Sequence, residues 1–169
     1  MIENELKYVL SLEAYAKFVK SSFDRSRIIQ VYDSRGARFR NQNGFYTFNY
    51  KLVQNDVVEE FEMEISKEEF ERCYSVCSNR LEKERYTIKD LYGNTWDIDF
   101  FFDNGSLYFA MAECEMVDAY ATKPEEILHL VRQHIIYEVP KNRYFDFTSS
   151  KLSDVLYAKN QLTFLQNSI

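Results

Sequence analysis

Along most of the chain, apolar and polar positions alternate with a period of two. This pattern marks strands with one face buried. The segments Glu3–Leu10, Arg27–Tyr32, Phe45–Val53, Val57–Ile65, Arg85–Lys89, Thr95–Phe102 and Leu107–Met116 alternate or are rich in β-branched and aromatic residues. Turn residues separate several of them: Asn43-Gly44, Tyr92-Gly93-Asn94 and Asp103-Asn104-Gly105. Asn and Gly tolerate positive φ, so these sites suit hairpins. Helical spacing falls between the strands. Leu12, Tyr15, Phe18 and Val19 predict a helix over Leu12–Phe23. Ser66-Lys67-Glu68-Glu69 is a capping box opening a helix that runs to about Asn79. Thr122-Lys123-Pro124-Glu125 is a second box, with Pro in the first turn, leading into Glu126–His134. A last helix is expected over Leu152–Leu165. Strands grouped between helices predict an α+β fold with a mainly antiparallel sheet, not an alternating parallel one.

Composition narrows the class. The 169 residues suit one domain, 1–169, able to bury a core, and no linker or internal repeat divides them. With 46% hydrophobic residues and only 4 Gly and 2 Pro, neither disorder nor a low-complexity chain is expected. The formal charge of −6 argues against a protein that wraps nucleic acid with its whole surface. No apolar run reaches the roughly 18 residues of a transmembrane helix. The start of the chain lacks a basic region followed by an apolar stretch, so no secretory signal is expected. Three cysteines, Cys73, Cys77 and Cys114, point to free thiols in a reducing cytosol.

The placement of charges within the strands is the informative feature. Side chains two residues apart share a face. Glu3, Glu5 and Lys7 oppose Leu6, Tyr8 and Leu10. Arg38 and Arg40 oppose Ala37 and Phe39; Thr47, Asn49 and Lys51 oppose Tyr46, Phe48 and Tyr50. Glu60, Glu62 and Glu64 fall together, as do Lys83, Arg85, Thr87 and Lys89, then Asp97 with Asp99, and Glu113 with Glu115. An antiparallel sheet with one wet face explains simple alternation. Doubled charges of both signs, with helices enough to cover the apolar side, favour a sheet curled into a barrel with the charges in its lumen. Enclosed charges need partners. Carboxylates beside lysines and arginines suit a divalent metal bridging to a polyphosphate.

Glu3-Asn4-Glu5-Leu6-Lys7 resembles the E-x-E-x-K signature of CYTH-domain proteins, the triphosphate tunnel metalloenzymes. The motifs that follow keep that family's order. Arg38-Phe39-Arg40 is similar to its R-x-R strand, Thr47 to Lys51 to its next lysine strand, and Glu62-Met63-Glu64 to its central E-x-E. Lys83-Glu84-Arg85 is similar to its K-x-R, Asp97-Ile98-Asp99-Phe100 to its acidic strand, and Ala112-Glu113-Cys114-Glu115-Met116 to its late A-E-x-E strand. Glu138-Val139 and Arg143-Tyr144 resemble its E-V-T and R-Y segments. The chain departs from the pattern at Asn49, where the family has Thr, and at Pro140, where a hydroxyl is missing.

The resemblance covers roughly residues 2–152. It implies an antiparallel β-barrel of about eight strands, closed or nearly so, with flanking helices: a triphosphate tunnel. It implies Mg²⁺ or Mn²⁺ as cofactor and hydrolysis of inorganic triphosphate or a nucleoside triphosphate. By position, Glu3, Glu5, Glu113 and Glu115 become the metal-side carboxylates. Lys7, Arg38, Arg40, Lys51, Lys83 and Arg85 become the phosphate-binding set, and Glu5, Lys7, Arg40 and Lys83 the catalytic residues. Glu60, Asp97 and Lys89 fall to outer-shell or surface positions. The expected partner is a triphosphate-containing small molecule, with no membrane and no nucleic acid, for a cytoplasmic monomer or homodimer. Two other readings stay open: a class IV-type adenylyl cyclase making cyclic AMP from ATP, and a non-catalytic module binding a phosphate-rich nucleotide.

The remaining candidates carry less. Cys73 and Cys77 are spaced i,i+4 with no matching Cys or His pair, so buried thiols are expected rather than zinc. His129 and His134 have no Ser or Cys nucleophile motif beside them and read as structural or exposed. No P-loop, dinucleotide-binding, nucleophile-elbow or zincin motif occurs.

Overall fold

The computed structural model of the chain describes residues 5–116 and 129–168. Among the described residues nine strands form one sheet: β1 (Glu5–Leu10), β2 (Asp24–Tyr32), β3 (Arg38–Gln42), β4 (Phe45–Gln54), β5 (Val57–Glu64), β6 (Asn79–Lys89), β7 (Thr95–Asp103), β8 (Ser106–Glu115) and β9 (Ile135–Glu138). Their order is β5-β4-β3-β2-β6-β7-β8-β1-β9, and every pairing is antiparallel. Three of the hairpins turn on two residues that both have positive φ: Asn43-Gly44, Asn55-Asp56 and Asn104-Gly105. Such turns match the right-handed twist of the flanking strands. The helices are α1 (Ala14–Phe18), α2 (Lys67–Val76), α3 (His129–Arg132), α4 (Ser149–Leu152) and α5 (Val155–Asn167), with a 3-10 segment at Lys141–Phe147.

The α+β antiparallel architecture is the one the sequence predicts, but three details differ. The sheet has nine strands rather than about eight, and among the described residues it is not closed by hydrogen bonds, since β5 and β9 are its edges. On β5, Glu59, Glu60, Glu62 and Glu64 are all exposed, and a run of like charges discourages further strand pairing. The first helix is shorter than Leu12–Phe23. The Ser21 hydroxyl donates to the Phe18 carbonyl at 2.6 Å, taking an acceptor that a continuing helix would use. The last helix is split in two, because Asp154 accepts a hydrogen bond from the Tyr157 N–H and so caps a new start. The capping box at Ser66 forms as read: its hydroxyl accepts from Glu69 N–H, and the Glu69 carboxylate accepts from Ser66 N–H. The second box, at Thr122, lies outside the described residues, and so does most of the helix expected after it. No helix of the described residues is long and apolar enough to cross a membrane.

Each face of the sheet has a core. On one face Leu6, Tyr8, Ile98, Phe100, Ala112 and Cys114 pack beneath Ala14 and Phe18 of α1 and Val131 of α3. Phe18 anchors this layer, its ring 5.4 Å from Tyr86 and 5.6 Å from Phe100. The opposite face is mixed. One end carries Val9, Leu81, Phe101, Phe109 and Met111, covered by Phe147, Leu152, Ala158, Leu162 and Leu165 of the C-terminal segment. The other end carries the charges. Phe18 is wholly buried, whereas Phe164 on α5 is 64% exposed. Phe18→Ala is therefore expected to cost about 3–5 kcal/mol in denaturant unfolding. Phe164→Ala should stay within about 0.5 kcal/mol of the parent protein. Equal losses would contradict this assignment of the core.

Candidate functional site

Register places the charged side chains. On the face that carries the C-terminal cover, cross-strand neighbours run Lys7↔Glu113↔Asp97, Arg85↔Asp99, Gln30↔Arg40↔Thr47 and Arg38↔Asn49↔Glu62. Nine of the ten residues read as site residues share this face by strand parity: Glu5, Lys7, Arg38, Arg40, Lys51, Lys83, Arg85, Glu113 and Glu115. The tenth, Glu3, lies outside the described residues. Parity fixes this because every pairing from β5 through β1 keeps register, apart from one shift between Phe101 and Phe102.

The centre of the face is a buried ion cluster. Lys83 Nζ lies 2.8 Å from Asp99 Oδ2, and both side chains are 1% exposed. Arg85 grips the same carboxylate with two bonds, Nε to Oδ1 at 2.7 Å and Nη2 to Oδ2 at 2.8 Å, and reaches Asp97 at 3.1 Å through Nη1. Burial pushes the Asp99 carboxyl up, but Arg85 and Lys83 together hold it well below the usual carboxylate range. Arg85 is held above its ordinary value, its burial outweighed by Asp99 and Asp97. Lys83 moves the other way. Burial pushes its ammonium down to about 8, because Asp99 is shared with Arg85 while Arg85 and Arg40 repel it. Lys83 also donates to Ser149 Oγ at 3.3 Å.

Beside this cluster stand two arginines with little carboxylate compensation. Arg40 donates through Nε to Gln30 Oε1 at 2.7 Å, and among the described residues it forms no ion pair. Burial, Arg38 and Arg85 lower it to about 10. Arg38 approaches Glu62 only at 3.8 Å, and its buried Nε has no hydrogen-bond partner among the described residues. An orphaned guanidinium N–H is costly, and an anion would satisfy it. Asn49, which stands where the resembled motif has Thr, is buried and donates to Glu60 and, at 3.3 Å, to Glu62. It thereby ties up carboxylates that would otherwise face Arg38.

The carboxylates gather at the other side of the cluster. Glu5 lies opposite Glu115, and Asp97 opposite Glu113. Lys7 sits between them, 3.1 Å from Glu5 and 3.9 Å from Glu113, with its Nζ 5.4 Å from the Tyr144 ring centroid. Like charges directly opposite on a sheet are unfavourable unless a cation intervenes. Burial raises the Asp97 carboxyl, Arg85 opposes, and Asp99 and Glu113 push it further up. No three Asp, Glu, His or Cys side chains converge on one point among the described residues. The donor chemistry nevertheless fits a hard divalent cation, which takes one or two carboxylates and completes its shell with water and phosphate oxygens.

Two of the sequence candidates are exposed. Lys51 is exposed, opposite Glu60, on the stretch of β4 beyond its pairing with β3. Glu115 is exposed at the end of β8. Conversely, Asp99, Gln30, Tyr32 and Ser149 belong to the cluster and were not in the sequence-derived site. Tyr32 is buried, receives a 2.7 Å bond from Gln30 Nε2, and neighbours Arg38, Arg40 and Ser149. Parity with Lys83 across β2 could have placed Gln30 and Tyr32. Nothing local marks Ser149.

The chain shares its fold with NE1496, an inorganic triphosphatase. The TM-score is 0.60 at 22% identity, over 90% of this chain and 95% of that one. Another crystal structure of NE1496 gives 0.58 at 22% identity, over 89% and 97%. The protein bh2851 from Bacillus halodurans, a candidate adenylate cyclase, gives 0.52 at 17% identity, over 70% and 82%. No family model matches the sequence, and no curated protein matches it. The fold is thus shared with NE1496 and bh2851.

Lys83 yields a pH prediction. An anion favours its protonated form, and that form is lost as pH rises through about 8. Triphosphate affinity should fall between pH 8 and 9.5 relative to Lys83→Arg, which keeps its charge throughout. The ratio should approach about tenfold per pH unit by proton linkage. Parallel affinity profiles from calorimetry would contradict a titrating Lys83.

Proposed function

We propose that the chain is a divalent-metal-dependent hydrolase of triphosphate compounds in the cytosol, acting on inorganic triphosphate or a nucleoside triphosphate. One observation carries this reading. A cationic cluster with a single shared carboxylate, Asp99, adjoins a separate group of carboxylates on the same sheet face. A polyphosphate chain needs both: guanidinium and ammonium groups for its oxygens, and carboxylates for its counter-cation. The fold shared with the inorganic triphosphatase NE1496 supports the same reading.

Each group has a role. Arg38 and Arg40 keep N–H groups available for non-bridging oxygens. Arg85 is committed to Asp99 and Asp97, and its work is to hold those carboxylates in place while adding positive potential. Lys83 offers a point charge to oxygen on which charge builds as the P–O bond breaks. Lys7 stands between the acidic group and the phosphates, neutralising both sides. Glu5, Glu113 and Glu115, with Glu3 ahead of them, would hold Mg²⁺ or Mn²⁺. The cation supplies charge neutralisation for the phosphate oxygens when bound. Glu5 would orient the attacking water by accepting its hydrogen bond.

The test is a phosphate-release screen of inorganic triphosphate, nucleoside triphosphates and thiamine triphosphate with Mg²⁺ and Mn²⁺. Glu113→Gln should lower turnover by about 100-fold or more while the fold is kept, since an amide is a poor ligand for a hard cation. A wild-type rate would contradict the acidic group's role. The fold shared with bh2851 keeps one second reading, cyclisation of ATP. Pyrophosphate and cyclic AMP among the products would establish it, whereas orthophosphate supports hydrolysis.

A further inference from the structure

β2 lies between two cationic strands, and its own side chains on that face are neutral where it runs between them. β3 presents Arg38 and Arg40 on one side of it, and β6 presents Lys83 and Arg85 on the other. Register puts Ser26, Ile28, Gln30 and Tyr32 on the same face as those cations, and none of the four carries a charge. Gln30 is wholly buried and Tyr32 nearly so. A buried amide is costly unless both of its ends are bonded. Both are: Gln30 Oε1 accepts from Arg40 Nε at 2.7 Å, and Gln30 Nε2 donates to Tyr32 OH at 2.7 Å. A guanidinium only donates, so the amide can face Arg40 in this one orientation alone.

The bracing continues away from Arg40. Tyr32 is hydrogen-bonded in turn to Ser149 of α4, whose hydroxyl also accepts from Lys83 at 3.3 Å. Arg40 and Lys83 are therefore joined through neutral groups only: Gln30, Tyr32 and Ser149. The contrast with Arg85 is chemical. Asp99 and Asp97 fix the direction of Arg85 and also offset its charge. Gln30 holds Arg40 Nε at 2.7 Å, as close as Asp99 holds Arg85 Nε, with no charge of its own. A glutamate has the same length and would hold Arg40 as closely, but the resulting pair would be neutral and would attract an anion poorly.

We propose that Gln30 is a positioning residue for Arg40: a neutral clamp, braced by Tyr32 and Ser149, that fixes the guanidinium while leaving its charge to a phosphate oxygen. This rests on the triphosphatase reading and accounts for how an arginine of the site is held still yet uncompensated. A guanidinium already held in place loses little freedom when the anion arrives, so more of the contact energy goes into binding and orientation.

Two substitutions separate charge from orientation. Gln30→Glu keeps the length and the bond to Arg40 but cancels the charge. Its calorimetric affinity for inorganic triphosphate should fall about 10- to 100-fold, the worth of one charge-assisted contact. Gln30→Met keeps the charge of Arg40 but removes the clamp. Its kcat for inorganic triphosphate should fall about 10-fold or more, by a larger factor than KM rises. A residue that only supported the fold would move neither quantity in a variant that thermal unfolding shows to be folded. Wild-type affinity in folded Gln30→Glu overturns the neutral clamp. So does a wild-type kcat in Gln30→Met, which decides alone if Gln30→Glu does not fold. Absence of triphosphate binding or of phosphate release by the wild-type protein overturns the underlying reading instead, so the two failures stay distinct.

Discussion

The charged face depends on one shared carboxylate. Asp99 is fully enclosed and serves both Lys83 and Arg85. Bringing three charges out of water is costly, and the cost is tolerable only because each finds a close, hydrogen-bonded partner. The cluster as a whole stays positive. Asp99, with Asp97 on the far side of Arg85, offsets Lys83 and Arg85, and Arg40 and Arg38 add two more cations close by. The fold thereby keeps an anion-seeking potential in a chain whose net charge is −6. Removing Asp99 would leave two buried cations facing each other, which explains why a carboxylate sits at the heart of a phosphate site.

Strand alternation turns this cluster into a surface. The apolar residues between the charged ones lock the sheet under α1 and α3, so the charged side chains have only one direction to project. The C-terminal segment then divides that face. Its helices cover the apolar end, and Ser149 and Tyr144 touch Lys83 and Lys7 where the covered and charged parts meet. Packing and chemistry therefore share a boundary. The residues that close the core also set the position of both lysines.

Much of this was legible in the sequence, for a definite reason. Period-2 alternation with doubled charges reports a strand's two faces directly, so Glu5, Lys7, Arg38, Arg40, Lys83, Arg85 and Glu113 fall on one face as their spacing requires. Contacts between distant segments were not legible. Nothing in the local pattern says that Ser149 meets Lys83, that Asp99 is the shared acceptor, or that Lys51 runs past the end of β3. Element ends were lost where side chains compete with the backbone, as Ser21 does after α1 and Asp154 before α5. Alternation left open whether the barrel closes fully, because pairing between its edge strands is a long-range property; among the described residues β5 remains an edge.

The central claim is that cations and carboxylates on one face hold the two halves of a metal–triphosphate complex. A crystal structure with Mg²⁺ and a non-hydrolysable triphosphate analogue tests it most directly. The account predicts phosphate oxygens within hydrogen-bond distance of Arg38, Arg40 and Lys83, and the cation on the side of Glu5 and Glu113. A phosphate chain bound elsewhere, or one that leaves Arg38 Nε still without a partner, would contradict it.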